Sequence, residues 1–233
     1  MRLIGFSSGV LYHKIQPVSM QAIRFFHSLG CNTIELACVL KERLALFYDL
    51  YRAFRLNLYE CYSLHAPCDH TYCDNEETRA ILAQLQIFQK LFKFKYLVFH
   101  PHTLKDPAVL EDYSLPIAIE NMDKLKPAGQ TVADLEKIFA VLDCQFVLDV
   151  NHAFTNDPSH RLAQELLNAF GNRLCGVHLS GFVDFHEPLH VTKQDQLIEI
   201  IKPLDVPVII ESMCADQAQA KAEFEYIKRK LSS

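Results

Sequence analysis

Short apolar segments alternate with longer amphipathic segments along the whole chain. The apolar segments, such as YSLHAP and FVLDVNHAF, are nearly continuous in hydrophobic residues, as are parallel strands that are buried on both faces. The amphipathic segments repeat apolar residues every three or four positions, as at Leu82, Leu85 and Phe88, which predicts helices. Gly30 and Gly171 lie where two of these helices should end.

This alternation divides the chain into eight strand-then-helix units. The strand segments are LIGFSSG, NTIELACV, YSLHAP, YLVFHPH, PIAIENMD, FVLDVNHAF, LCGVHLSG and PVIIESM. They predict an α/β fold, a single (β/α)8 barrel domain over residues 1–233. A doubly wound open sheet is the alternative, but it does not normally need eight evenly spaced units. The second helix is predicted over RLALFYDLYRAFR, whereas Pro107 and Pro116 leave little room for the fourth.

Composition narrows the class of protein. Half of the 233 residues are hydrophobic, which is enough for one substantial core. The net charge of -5 weighs against a general nucleic-acid binder. Eight cysteines without a C-x-x-C pair predict reduced thiols. No apolar run has the length of a membrane span or a signal peptide, so a soluble, cytoplasmic protein is expected. The sequence leaves open whether the protein forms a homo-oligomer.

Side chains that bind metals stand at the ends of six predicted strands. They are His65, His100 and His102, Glu120, Asp149 and His152, His178, and Glu211. In a barrel these positions converge on the C-terminal mouth. Burying several carboxylates and imidazoles together is costly unless a cation compensates them. This donor set suits Mn²⁺, Zn²⁺, Co²⁺ or Fe²⁺ better than Ca²⁺.

Asp149 is therefore expected to be a metal ligand, and His152 to reach the same site from the loop after the strand. Taken singly, each position has a simpler interpretation. A strand-end Asp is often the N-cap of the next helix, and a strand-end His is often only hydrogen-bonded. The recurrence on six of eight strands favours a shared site. Glycine-rich nucleotide-binding motifs are absent from the sequence, and Lys193 is a weaker candidate for contact with a substrate phosphate.

The ordered motifs resemble those of the xylose-isomerase-like TIM barrels. The matching segments are NTIEL, SLHAP, VFHPH, IAIEN, LDVNH, VHLSG with VDFHEPLH, and VIIES. This superfamily includes sugar and sugar-phosphate isomerases and epimerases, and also endonuclease IV (AP endonuclease family 2). The isomerase resemblance implies one metal held by Glu120, Asp149, His178 and Glu211. It also implies that both glutamates serve as acid and base through an enediolate, and that His152 contacts substrate.

The endonuclease IV resemblance implies a di- or trinuclear zinc site. Its added ligands would be His65, His100, His152, Asp184 and His186. Several departures from that pattern argue against DNA repair. The chain reads CDHTYCDNEE after His-Ala-Pro, has Ser180 and Gly181 where Asn-Asp is usual, and has His190 in place of a glycine. Nucleic acid is therefore a disfavoured partner.

These observations favour a metal-dependent isomerase or epimerase acting on a small sugar, sugar phosphate or polyol. The metal would be Mn²⁺, Zn²⁺ or Co²⁺. The alternative is a zinc phosphoesterase of the endonuclease IV type. A non-catalytic ligand-binding barrel is a third class, which the intact Glu120 and Glu211 disfavour. Whether His102 or His190 reaches the site is left open.

Overall fold

The computed structural model describes residues 2–53 and 58–232, and it confirms the predicted barrel. Each of eight parallel strands pairs with the next strand in sequence, and the last pairs with the first, so that the ring is closed. The strands are Ile4–Ser7 (β1), Thr33–Ala37 (β2), Cys61–His65 (β3), Leu97–Phe99 (β4), Ile117–Glu120 (β5), Gln145–Asp149 (β6), Leu174–Leu179 (β7) and Val208–Ile210 (β8).

Helices follow the strands on the outside of the ring. They are Met20–Ser28 (α1), Leu46–Ala53 (α2), Glu76–Phe92 (α3), Val132–Phe139 (α4), Val150–Asn156 (α5), Arg161–Phe170 (α6), Leu189–Thr192 (α7), Asp195–Ile201 (α8) and Gln217–Ser232 (α9). None of the helices in the described part of the chain is long and apolar enough to cross a membrane. Phe54 and Arg55, the end of the predicted second helix, lie outside the described residues.

Two local predictions can be compared with the backbone. In the fourth unit, the short 3-10 helices Pro101–Thr103 and Pro107–Leu110 stand in place of an α-helix, as the prolines predicted. The sixth unit corrects an expectation, because the chain enters α5 immediately after Asp149. His152 therefore projects from a helix and not from a loop.

The core has two layers. Between strands and helices, large side chains such as Phe26, Phe47 and Phe88 are fully buried, and each contributes about 1.5–3 kcal/mol through burial. A separate cluster fills the inside of the barrel, formed by Tyr96, Val98, Ala118, Val147 and Cys175. A Cβ at Gly176 would overlap the Tyr96 hydroxyl, so only glycine lets that ring cross the barrel. The inner cluster forms a dry floor beneath the C-terminal mouth.

The cysteines take no part in disulfides. All eight are free thiols, and only Cys68 and Cys73 are partly exposed. Burial raises the pKa of Cys144 and Cys214 to about 12. These two side chains therefore remain neutral at physiological pH and pack as small apolar groups.

Candidate functional site

The barrel brings the four predicted metal ligands together above its floor. Glu120 and Asp149 end β5 and β6, His178 is the penultimate residue of β7, and Glu211 directly follows β8. Asp149 and His178 are register partners on neighbouring strands. Because these strands are adjacent in the ring, one ligand atom from each of the four side chains lies within 4.8 Å of the others.

His178 is at the centre of this cluster. Its Nδ1 lies 3.0 Å from Glu120 Oε1 and 3.5 Å from Glu211 Oε2. The side chains of Glu120 and His178 are almost completely buried, whereas that of Glu211 is 17% exposed. Glu211 therefore borders the opening through which a ligand would approach.

Asp149 has a structural contact and a free oxygen. Its Oδ1 accepts the backbone N–H of His152 at 2.7 Å and so caps the N-terminus of α5. Its Oδ2 has no hydrogen-bond partner among the described residues. The N-cap and metal-ligand interpretations of this residue are therefore compatible, since each uses a different oxygen.

The buried carboxylates oppose one another electrostatically. Burial raises the pKa of Glu211 to about 8 and that of Asp149 to about 6. Burial acts in the same direction on Glu120, but the neighbouring imidazoles of His178 and His100 hold its pKa well below the usual range. A divalent cation would relieve this repulsion. Three carboxylates and one imidazole suit Mn²⁺, Zn²⁺ or Co²⁺, so the residues fit the predicted metal.

A second group of ligands shares Glu120. The Nε2 atoms of His65 and His100 lie 2.9 Å apart, and His100 Nε2 is 3.1 Å from Glu120 Oε2. Burial lowers the pKa of His100 to about 4, so the ring is neutral and has a lone pair to offer. Ligand atoms of His65, His100 and Glu120 also lie within 4.8 Å of one another, and Glu120 could therefore bridge two cations.

Two more predicted residues line the same cavity. His152 Nδ1 lies 2.8 Å from the carbonyl oxygen of Asn121, which fixes Nδ1 as the donor. The rings of His152 and His186 are 5.4 Å apart, and His186 Nδ1 is 2.8 Å from the Ser180 hydroxyl. Both rings belong to the wall of a cavity of about 460 Å³ above the ligand cluster, a volume typical of small-molecule sites.

Three other candidates lie elsewhere. Asp184 is exposed, its backbone N–H donates to Glu187 Oε1 at 3.2 Å, and it joins neither ligand group of the described chain. His190 lies 2.8 Å from Glu223 Oε2. Lys193 Nζ lies over the Tyr226 ring, 4.5 Å from its centre. Neither His190 nor Lys193 lines the cavity.

His102 occupies an intermediate position. Its ring is 5.3 Å from that of His100, but it does not belong to the cavity wall or to either ligand group within the described residues. Burial lowers its pKa, and the nearby Lys126 acts in the same direction.

Glu35 was not among the site residues predicted from the sequence. It is fully buried in β2, and its Oε2 lies 3.2 Å from His178 Nε2 and accepts the Ser63 hydroxyl at 2.9 Å. Because Nε2 donates to Glu35, the ring is held with Nδ1 facing the ligand cluster, 3.0 Å from Glu120 Oε1. A signal existed in TIEL, where Glu35 follows Thr33 at i+2, the spacing that identified Glu120 in IAIE.

Comparison of the whole chain with solved structures identifies the barrel type. A D-allulose 3-epimerase from Methylomonas sp. in complex with D-allulose aligns with a TM-score of 0.68 and 16% identity, covering 98% of this chain and 97% of the other. A D-psicose 3-epimerase with D-tagatose from Clostridium cellulolyticum H10 aligns with a TM-score of 0.67 and 11% identity, covering 99% of both chains. A putative xylose isomerase from Rhodospirillum rubrum aligns with a TM-score of 0.66 and 11% identity, covering 98% of this chain and 99% of the other.

The fold is a TIM barrel similar to those of these sugar epimerases and this putative xylose isomerase. At this level of identity, the likeness establishes the architecture alone. The sequence matches no protein-family model, and no curated protein matches it either. The chemistry of this barrel therefore has to be argued from its own residues.

Proposed function

We propose that the protein is a divalent-cation-dependent isomerase or epimerase of a small sugar or sugar derivative. The observation that carries the proposal is the cluster of Glu120, Asp149, His178 and Glu211 at the C-terminal mouth. Two of these four side chains, Glu120 and Glu211, also line the cavity. The sugar epimerases among the structural neighbours, one of them in complex with D-allulose, support the same reaction class.

The proposed reaction is a proton transfer next to a carbonyl group. When bound by the four ligands, a divalent cation would polarise that carbonyl and the neighbouring hydroxyl. One of Glu120 and Glu211 accepts the proton from the carbon between them, which leaves an enediolate. The other returns a proton to the opposite face and yields the epimer, or return to the neighbouring carbon yields the isomer. His152 Nε2 faces the cavity because Nδ1 donates to Asn121, so it can bind a substrate hydroxyl.

Metal content tests the proposal. Elemental analysis of purified protein reconstituted with Mn²⁺ should give about one ion per chain, as expected of a single four-ligand site. Chelation should abolish deuterium exchange from D₂O into a ketose, and Mn²⁺ should restore it. A metal-loaded protein that exchanges no aldose or ketose proton would contradict the proposed reaction.

The second candidate is a zinc phosphoesterase. The facing imidazoles of His65 and His100 beside Glu120 favour it, since a second cation would fit between them. The exposed Asp184 weakens the trinuclear form. This candidate would be supported by about two or three zinc ions per chain together with phosphodiester cleavage. Changing both histidines to alanine would then abolish the cleavage.

Glu35 should strengthen cation binding because it orients His178. We expect Glu35→Gln to raise the Mn²⁺ dissociation constant about 10-fold, because an amide holds the imidazole less firmly and less basic than a carboxylate does. Calorimetric titration with Mn²⁺ measures the effect. Ser63→Ala is the matched comparison, since it removes the other hydrogen bond to Glu35 but keeps the carboxylate. An equal or larger effect of Ser63→Ala would contradict the role of Glu35 in orienting His178.

A further inference from the structure

Two basic side chains line the same cavity as the ligand cluster. Arg43 belongs to the 3-10 helix Lys41–Ala45 after β2, and Lys126 belongs to the loop between β5 and α4. Both are partly buried in the cavity wall. Across residues 2–53 and 58–232, neither forms an ion pair with a carboxylate. Within the described part of the chain, these cations therefore have no carboxylate at ion-pair distance.

Both basic side chains come from segments at the C-terminal mouth, Arg43 after β2 and Lys126 after β5. Burial raises the pKa of Cys38 to about 12 and that of Cys68 to about 11. Arg43 opposes the first rise and Lys126 the second, so each basic group is close to one of the thiols. The backbone N–H of Cys68 donates to the carbonyl of Val39, the neighbour of Cys38, at 3.1 Å. The loops after β2 and β5 each contribute one basic side chain to the lining of the same cavity.

Part of the cavity wall is apolar. Val10, Val39 and Leu40 line the cavity beside them and offer no side-chain acceptor. Asp123 also lines the cavity, but its Oδ1 accepts the backbone N–H of Leu125 at 2.7 Å. A partly desolvated guanidinium and ammonium next to apolar side chains bind an anion more strongly than fully hydrated ones. A neutral sugar would supply no such partner.

We infer that the substrate carries an anionic group, a phosphate or a carboxylate, and that Arg43 and Lys126 bind it. This inference rests on the proposed function for the reacting end of the substrate. The reacting carbons lie over Glu120 and Glu211, and the anionic end extends towards Arg43 and Lys126 in the segments after β2 and β5. The substrate class is then a sugar phosphate or a sugar acid, in contrast to the uncharged D-allulose bound by a structural neighbour.

Exchange kinetics on matched substrates test the inference. Mn²⁺-loaded protein is assayed by deuterium incorporation into hexuloses, hexulose phosphates and hexuluronates. The kcat/KM of one anionic series should exceed that of the neutral series by about 10-fold or more, as expected for charged hydrogen bonds. Arg43→Met and Lys126→Met should each lower that ratio about 10-fold, mainly through KM. Preference for the phosphate or for the uronate series identifies the anion.

Lys124→Met is the matched control. Lys124 lies two residues from Lys126, but its Nζ lies over the Phe182 ring and it does not line the cavity. It should leave the anionic-to-neutral ratio within about twofold of the wild type, as surface substitutions usually do. A wild-type ratio near one, or equal loss on charged and neutral substrates in the Arg43 and Lys126 variants, would overturn the inference.

A binding measurement separates this inference from the proposed function. If no hexulose of any series exchanges a proton, the proposed reaction fails, and titration of cation-free protein with inorganic phosphate then decides the anion site alone. Binding that Arg43→Met and Lys126→Met weaken by about 10-fold each, while Lys124→Met does not, supports the site. Absence of binding, or equal binding by all four proteins, refutes it.

Discussion

A Glu120→Gln variant should lose deuterium exchange into its substrate by about 10³-fold or more, since an amide cannot accept a proton as a general base. The substitution keeps the volume of the side chain in a fully buried position, so the barrel should still close around it. Glu120 contacts His178 at 3.0 Å and His100 at 3.1 Å, and its charge is central to the cluster. Exchange should be followed by NMR at saturating Mn²⁺, with metal content measured on the same sample.

Glu136→Gln provides the control for loss of a glutamate charge. Glu136 is exposed on α4, and its replacement should change exchange by no more than about twofold. Measuring bound Mn²⁺ separates the two roles of Glu120. A variant that binds the cation but exchanges no proton has lost the base. A variant that binds the cation and exchanges at the wild-type rate would exclude Glu120 as acid or base.

The barrel and the convergence of its strand-end side chains could be predicted because both follow from short-range patterns, whereas the set of four ligands came from the resemblance. Buried parallel strands need nearly continuous apolar runs, and a closed ring brings their C-terminal ends to one rim. Glu120, Asp149, His178 and Glu211 therefore converge whatever the loops do. Glu120 follows Ala118, and Asp149 follows Val147, at the i+2 spacing of one strand face, and the two apolar residues belong to the cluster inside the barrel.

Other features depend on contacts that no local pattern encodes. Glu35 lies in the middle of β2 and not at its end, and only the ring geometry reveals that it faces His178. The expected loop around His152 is instead helix α5, because Asp149 caps the chain at once. Asp184 and His186 are two residues apart, yet one is exposed and the other lines the cavity, since the long loop after β7 follows no regular period.

Arg43 and Lys126, the residues proposed to bind the anionic group, could not be predicted from a local sequence pattern either. Neither belongs to a motif, and 82 positions separate them in the chain. Arg43 lies in a short 3-10 helix and Lys126 in a loop, where side-chain direction has no periodicity. The candidate metal ligands were therefore accessible from strand ends, whereas the residues proposed to select a substrate lie in loops and required the structure.

Asp149→Asn should raise the Mn²⁺ dissociation constant about 100-fold while preserving the fold. The substitution keeps the oxygen that caps α5 and replaces the free oxygen with an amide nitrogen. Asparagine is a good N-cap, so its Oδ1 can still accept the backbone N–H of His152. The amide offers no negative charge to a cation. Burial raises the pKa of Asp149 to about 6, so ionising it destabilises the folded metal-free protein. That destabilisation grows as the pH rises from the unfolded pKa to the folded one, and it is complete near neutrality.

Near neutral pH, the metal-free Asp149→Asn protein should therefore melt no lower than the metal-free wild type. Asp149→Ala should lose both functions, with the same weakening of Mn²⁺ binding and an additional loss of about 1 kcal/mol of stability from the missing cap. Thermal melts with and without Mn²⁺ distinguish the three proteins, because the cation should stabilise only the wild type strongly. Wild-type Mn²⁺ affinity in Asp149→Asn would show that the free oxygen is not a ligand. Equal melting temperatures of the metal-free Asn and Ala variants would show that the cap contributes nothing, since the two substitutions remove the same charge and differ in the hydrogen bond to His152.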